Sequence, residues 1–324
     1  NNTVTGWPTR TPTSDYSCLT AATSGQQQTL GTGIIKGCAG TAIDSSGSGA
    51  LRLTPAVNSY SSFFLYNSPL STRDGLDITF NQAQYGGNGA DGISFFLQNG
   101  ANASTAAGGS GEGLGYSRWC SPPGSGEGST GVAGGLIGVG FDVYGAFDCN
   151  SGTGANYLAI KGADTSGAKD GSAGYATLGG ASLSSTTGSL TSGANSRAGR
   201  ARSVRIIVDP ATATTPKVKV WIGSLGQTWD PLTDTPTAQA NMPTEYLTAS
   251  TFKFGFAAGT GGQNDIHEVW GLSISAAQDP TYRVTYDGNT STGGTVPADS
   301  TAYSGTGSVT VLGNTGTLVR TGYS

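Results

Sequence analysis

The sequence predicts an all-β protein in which two antiparallel sheets pack together as a sandwich or jelly roll. No apolar 3.6-residue periodicity extends beyond two turns, so long helices are not expected. Short β-branched and aromatic runs are separated by clusters of Gly, Ser, Asn and Thr, which is typical of strands joined by turns. With 9% aromatic residues the chain can bury a core, although Gly supplies 54 of its 324 residues.

Strands are predicted at ten places before residue 276. Residues 217–222 alternate Val and Ile with Lys and Trp, and residues 252–256 alternate three Phe with Lys253 and Gly255. Such a period of two indicates strands with one face on a core. The ten candidates are residues 50–54, 62–66, 76–80, 92–98, 136–143, 157–160, 203–208, 217–222, 252–257 and 269–275.

A change of composition near Ala276 divides the chain into residues 1–276 and 277–324. The second segment contains no Trp, and strands are predicted there at residues 282–286 and 308–312. This segment is too short for a large core, so we predict a small β module that follows a short hinge. The Gly/Ser/Thr-rich residues 162–200 are interpreted as a surface excursion of the first domain, because further strands follow them.

Charge and hydropathy restrict the partners. Charged residues make up 11% of the chain and the net charge is −4. No basic stripe is present, which argues against nucleic acid as a partner. No apolar run reaches the ~18 residues of a membrane span.

Four cysteines occur, at positions 18, 38, 120 and 149, and none lies in a CxxC or Cys/His cluster. An even number in such a polar chain indicates two disulfides formed in an oxidising compartment. Of the three possible pairings the sequence-local one, Cys18–Cys38 with Cys120–Cys149, is favoured. Four buried free thiols are the alternative.

Catalytic side chains are scarce. The single histidine, His267, lies at the entry to a strand, where a structural hydrogen-bonding role is favoured over that of a base. Sandwich glycosidases need two carboxylates at a fixed separation. The only glutamates are Glu112, Glu127, Glu245 and Glu268, and none has an acidic neighbour at strand spacing. The sequence therefore does not predict an enzyme.

Two loops carry oxygen ligands beside apolar strands. Asp91 directly precedes one strand, whereas Asp142, Asp148 and Asn150 follow another. Calcium requires six to eight oxygen ligands, which such loops can supply. The competing interpretation is that Asp and Asn are common turn residues.

The first ~276 residues resemble the L-type (legume-like) lectins, most closely their bacterial surface-protein branch. The matching segments occur in the family's order, at residues 48–54, 90–97, 113–116, 138–144 and 254–262, followed by His267 and Trp270. The resemblance implies a concanavalin A-like jelly-roll sandwich that binds carbohydrate in a shallow site made of loops.

The resemblance also implies the site residues. Asp91, after a cis peptide bond to Ala90, accepts hydrogen bonds from two sugar hydroxyls, and the Tyr144 ring lies under the apolar face of a pyranose. The implied Ca²⁺ ligands are Asp142, the Tyr144 carbonyl and Asp148, with Asn150 as a further candidate for both calcium and sugar. The remaining implied sugar contacts lie in two loops, at Gly111, Glu112, Gly262 and Gln263.

Departures from the family pattern concern the metals. Ala146 stands where the family has an Asn that binds both Ca²⁺ and sugar. Gly140 and Asn156 occupy the two positions where the family has the acidic residue and the histidine that bind a transition metal. No transition-metal site is therefore predicted. A Cys120–Cys149 bridge would tie the metal loop to the segment after the Gly-rich loop and partly replace metal as a staple.

The tail resembles the bacterial surface repeat named after Listeria and Bacteroides, a small β-grasp-like stalk module. The matching residues are 282–289, 293–297, 309–314 and 321–323. The segment stops before the repeat's closing strand, so further repeats of the same polypeptide are expected.

Together these features predict a Ca²⁺-dependent carbohydrate-binding tip domain of a bacterial adhesin, secreted or on the cell surface. Its partner would be a cell-surface glycan or polysaccharide. One alternative is a structural or protein-binding adhesin with a decayed sugar site. The other, a glycan-processing enzyme on the same fold, has no acid pair to support it.

Overall fold

The structure, a computed structural model, describes residues 17–24, 27–30, 33–102, 106–120, 130–149, 154–165, 174–184, 188–277, 281–282, 284–301, 303–304 and 308–323. The chain divides into two compact units, residues 1–277 and 278–324.

Strands dominate the described part of the first unit. They are β1 (Cys18–Thr23), β2 (Gln27–Leu30), β3 (Gly33–Ala39), β4 (Leu51–Thr54), β5 (Tyr60–Ser71), β6 (Leu76–Tyr85), β7 (Gly92–Asn99), β8 (Gly135–Asp142), β9 (Tyr157–Lys161), β10 (Thr177–Ser182), β11 (Arg202–Val208), β12 (Lys217–Ser224), β13 (Ala238–Asn241), β14 (Thr251–Thr260) and β15 (Ile266–Ser275). Helical residues are confined to α1 (Arg197–Arg200), α2 (Thr244–Thr248) and one 3₁₀ turn (Gly111–Gly113) among the residues described.

These strands form two sheets, so the predicted all-β jelly-roll sandwich is confirmed. Within the described residues the back sheet has nine strands in the order β13-β12-β11-β6-β15-β4-β1-β3-β2, and the front sheet has six in the order β10-β9-β8-β7-β14-β5. The pairing of β1 with β3 is parallel, and the other pairings in both sheets are antiparallel. In the front sheet β7 lies between β8 and β14, which sets the position of the residue just before β7.

The core lies between the sheets and follows the predicted alternation. Phe252, Phe254 and Phe256 of β14 are fully buried in it, as are Val218 and Val220 of β12. Each large apolar side chain removed from water contributes about 1.5–3 kcal/mol, so this core supplies the main stabilisation of the sandwich.

All ten strands predicted before residue 276 are present, most of them longer than predicted. Five others, β1, β2, β3, β10 and β13, were not predicted. A disulfide joins Cys18 in β1 to Cys38 in β3.

The second unit contains two paired two-residue strands, β16 (Thr281–Tyr282) and β17 (Tyr303–Ser304). A bridge between Gly293 and Val319 adds one further pairing. The prediction of a strand at residues 308–312 was wrong, because these residues pair with no strand among those described, and all of them except Leu312 are exposed. Within the described ranges, no helix has the length and apolar character that crossing a membrane requires.

Candidate functional site

The candidate site lies where β7 begins, at Asp91. Its backbone carbonyl accepts hydrogen bonds from the amides of Val143 (2.8 Å) and Tyr144 (3.4 Å), and its own amide donates to the carbonyl of Gly259 (3.2 Å). The predicted cis peptide bond between Ala90 and Asp91 is present. The loop after β8 and the last residues of β14 therefore meet at this residue.

The Asp91 carboxylate is buried but incompletely satisfied. The residue is 6% exposed, and its Oδ2 has no hydrogen-bond partner in the described protein. Burial raises the pKa of this carboxyl to about 7; the charges of Asp142 and Glu112 add to the shift, and a hydrogen bond from the Gly261 amide opposes it. Asp91 Oδ2 is one of seven buried side-chain polar atoms without a partner among the described residues, and each such atom calls for an explanation such as a bound water or a ligand.

Two glycines lie against this carboxylate. A Cβ atom at Gly261 would lie 2.9 Å from Asp91 Oδ2, and one at Gly111 would lie 3.8 Å from it. Gly111 also has a positive φ of 56°, which glycine adopts without strain. A side chain at Gly261 would crowd the carboxylate and close the approach to it.

The rim of the site holds an exposed aromatic ring and an open loop. Tyr144 is 52% exposed. Gln263 is exposed, and a Cβ at Gly262 would have nothing within 4 Å. Asn58 Nδ2 donates to the Gly262 carbonyl at 3.0 Å, which anchors this loop and was not predicted.

The Glu112 side chain, named above as an implied sugar contact, is engaged with the protein itself. Its Oε1 accepts a hydrogen bond from the Cys120 amide, so the carboxylate points towards the Cys120–Cys149 disulfide. The bridge itself confirms the predicted pairing and ties the loop after β8 to the segment after the 3₁₀ turn.

The loop after β8 is closed by its own aspartate. Asp142 accepts backbone hydrogen bonds from Gly145 (Oδ1, 2.7 Å) and from Phe147 (Oδ2, 2.6 Å), and it is 1% exposed. Burial raises its pKa to about 6, against the lowering effect of these backbone donors. The carboxylate thus folds its own loop into a turn.

A lysine occupies the interior next to this loop. Lys161, the last residue of β9, is 1% exposed, and its Nζ lies 3.1 Å from Cys149 Sγ and 3.2 Å from Ser117 Oγ. The ammonium also lies 4.9 Å from the centre of the Phe147 ring. Burial lowers its pKa to about 8, and the charges of Glu112, Asp148 and Asp142 act against that lowering.

The described donors do not fit a calcium ion. Of the implied ligands, Asp142 already receives two backbone hydrogen bonds, and Asn150 lies outside the described residues. Ala146, at the family's Asn position, offers no side-chain oxygen. Asp148 is buried and the Tyr144 carbonyl remains as a further oxygen. No group of three or more His, Cys, Asp or Glu side chains in the described ranges is arranged to hold a metal. Calcium takes six to eight oxygens, so the implied set is incomplete.

The positions of the family's transition-metal ligands have other contacts. A Cβ at Gly140 would lie 2.3 Å from the Phe147 ring, so this ring fills the space that an acidic side chain would need. Asn156 donates from Nδ2 to Ser189 Oγ (2.7 Å) and accepts at Oδ1 from the Leu190 amide (2.6 Å). Both positions are committed to packing and hydrogen bonding.

His267 has the environment of a structural residue. It is fully buried, its Nδ1 lies 2.6 Å from Thr54 Oγ1, and burial lowers its pKa to about 3. It lies on the back sheet, where β15 pairs with β4.

Comparisons with known proteins locate similar folds only. No family model matches the sequence, and no curated protein matches it. Among solved structures, the chain is similar to lectin I-B4 from Griffonia simplicifolia in its metal-free form (15% identity, 70% of this chain and 87% of that one, TM-score 0.45). It is also similar to the VIP36 exoplasmic/lumenal domain bound to Ca²⁺ and Man3GlcNAc (15%, 70% and 78%, 0.44). A third is a lectin from Bauhinia forficata in complex with GalNAc (13%, 72% and 90%, 0.44). Scores and identities this low support no inference about the ligand of this chain.

Proposed function

We propose that this chain binds carbohydrate at Asp91, in a shallow site completed by Gly111, Gly261 and Tyr144. The observation that carries the proposal is the buried Asp91 Oδ2, which lacks a partner among the described protein atoms and lies beside two glycines. The site binds and orients its ligand, and no chemical step is assigned to it.

A sugar ring offers the hydrogen-bond donors that the Asp91 carboxylate lacks. Two vicinal hydroxyls can donate to one carboxylate, and hydrogen bonds to a charged group contribute about 1.5–3 kcal/mol each. The exposed Tyr144 ring offers an apolar face for the C–H side of a pyranose.

Such a site is small and should bind one sugar weakly. Strength would come from many copies presented together, which raises the effective concentration of the sites. We therefore propose a tip domain of an extracellular bacterial adhesin, whose partner is a cell-surface glycan or polysaccharide. The two disulfides support an oxidising, extracellular location. The resemblance of the tail to stalk repeats supports a surface layout.

A glycan array probed with the whole chain tests the proposal, in parallel with Asp91→Asn, Tyr144→Ala and the control Asp74→Asn. Asp74 is exposed in the turn between β5 and β6. We expect wild type and the control to bind the same glycans, Asp91→Asn to lose them and Tyr144→Ala to bind more weakly.

Absence of any bound glycan, in buffers with and without Ca²⁺, would overturn the proposal in favour of a structural or protein-binding adhesin. Release of new reducing ends from a bound polysaccharide would overturn it in favour of an enzyme.

A further inference from the structure

The loop of residues 142–149 holds the Asp91 carbonyl in place through the amides of Val143 and Tyr144. Whatever orders this loop therefore orders the candidate site. Three carboxylates, those of Glu112, Asp142 and Asp148, bring negative charge to this region; Arg118 is one cation near them, and a second positive charge lies against the Cys120–Cys149 disulfide.

That positive charge is present in the chain itself. Lys161 Nζ lies within 3.8 Å of both sulfur atoms of the Cys120–Cys149 disulfide and within 3.2 Å of Ser117 Oγ. A lysine is almost never fully buried unless it is paired. Its burial here therefore indicates that the surrounding carboxylates and polar atoms compensate it.

The space around the ammonium is filled as well. The Phe147 ring is fully buried and lies against Gly140 on one side and the ammonium on the other. Gly140 must lack a side chain for this ring to fit. Charge and volume are thus both supplied by the protein.

We propose that Lys161, with the Phe147 ring and the Cys120–Cys149 bridge, orders the 142–149 loop in place of a calcium ion, so that the loop and Asp91 are positioned without metal. Lys161 is a positioning residue, since it acts on Asp91 only through the loop. The inference concerns how the loop is ordered, and its readouts need no sugar, so it stands or fails separately from the proposed function.

The first test uses the wild-type chain alone. Thermal unfolding is measured with Ca²⁺ at about 10 mM, above the range of weak extracellular calcium modules, and again with excess EGTA. We expect the same Tm in both, and no heat of binding when CaCl₂ is titrated into the metal-free protein. A calcium-dependent rise in Tm of more than about 3 °C, or a saturable binding isotherm, would overturn the proposal.

The second test compares Lys161→Met with Lys253→Met. Lys253 is also buried, at 7% exposure, but its Nζ donates to the Asn102 carbonyl instead, so it controls for the loss of a buried lysine. Amide hydrogen exchange at Gly145 and Phe147 should become at least about tenfold faster in Lys161→Met and stay unchanged in Lys253→Met. Unchanged protection in a folded Lys161→Met protein would contradict the proposal.

If Lys161→Met does not fold, Lys161→Arg replaces it and keeps the charge. Protection at Gly145 and Phe147 within about threefold of wild type supports a role for the positive charge. Full loss of that protection in a folded arginine variant would show that the charge is not what orders the loop.

Discussion

Replacing Asp91 by Asn should stabilise the protein and abolish its glycan binding. In the folded chain the carboxyl has a pKa of about 7 in place of 3.8, mainly because it is buried. Each unit corresponds to about 1.4 kcal/mol, so the ionised carboxylate disfavours the folded state by at most about 4 kcal/mol. Solvent at the rim of the site screens part of this, and we expect a gain of about 2 kcal/mol for Asp91→Asn at pH 8.

The gain should depend on pH with a defined sign. Because the folded pKa lies above the unfolded one, the folded wild type keeps its proton to a higher pH, and its stability falls as the pH rises from about 4 to about 7. The variant lacks this group. The difference in unfolding free energy should therefore be near zero at about pH 4 and largest at about pH 8.

Urea unfolding of wild type, Asp91→Asn and the exposed control Asp74→Asn at several pH values measures this difference. The control should stay within about 0.5 kcal/mol of wild type at every pH. Calorimetric titration with a glycan identified on the array should show at least a tenfold weaker affinity, or about 1.4 kcal/mol, for Asp91→Asn. An Asp91→Asn variant that is less stable than wild type at pH 8, or a difference in unfolding free energy that does not vary with pH, would contradict a raised folded-state pKa for Asp91.

Three further predictions concern single contacts. Gly261→Ala places a Cβ 2.9 Å from the site carboxylate, so glycan affinity in calorimetry should fall about tenfold. Gly40→Ala, outside the site and with open space around it, should leave that affinity unchanged. Arg197→Ala removes two hydrogen bonds to the fully buried Glu268, so urea unfolding should show a loss of about 2–3 kcal/mol. His267 has a folded pKa of about 3, below its unfolded value, so wild-type stability should fall as the pH drops from about 6.5 to 3, and His267→Gln should show a smaller fall.

Strands in which large apolar side chains alternate with other residues could be predicted, because this alternation indicates which face of the strand is buried. The three Phe of β14 and the Val and Ile of β12 carry that signal, and all of them lie in the core. Strands β10 and β13, with sequences TLGGAS and AQAN, contain few large apolar side chains. They belong to the sheets through backbone hydrogen bonds to a neighbouring strand, which a side-chain pattern does not record.

The site was predictable only as far as family resemblance reached. The segment around Asp91 and the loop at residues 142–149 were expected to meet, and the structure brings them together through the Asp91 carbonyl. The direction of Glu112 and the burial of Lys161 were not foreseen. The burial of Lys161 depends on the register of β9 against β8, where Lys161 pairs with Gly138, and a local sequence pattern does not determine such long-range register. The direction of Glu112 depends on its hydrogen bond from the Cys120 amide.

Two buried charges of opposite sign lie on the front sheet, Lys161 level with Gly138 and Asp91 beside the Asp142 end of β8, and their surroundings separate their roles. The Lys161 ammonium has sulfur, hydroxyl and aromatic contacts supplied by the protein, which is the condition of a group that holds structure. The Asp91 carboxylate has one oxygen without a protein partner, and its pKa is raised. Its ionised form therefore lowers the free energy of unfolding of the protein without ligand. A stabilising role does not explain such a group, because Asn would fit the same place at a lower free energy. The proposed sugar ligand accounts for an aspartate at this place, because its hydroxyl pairs would donate hydrogen bonds to the carboxylate.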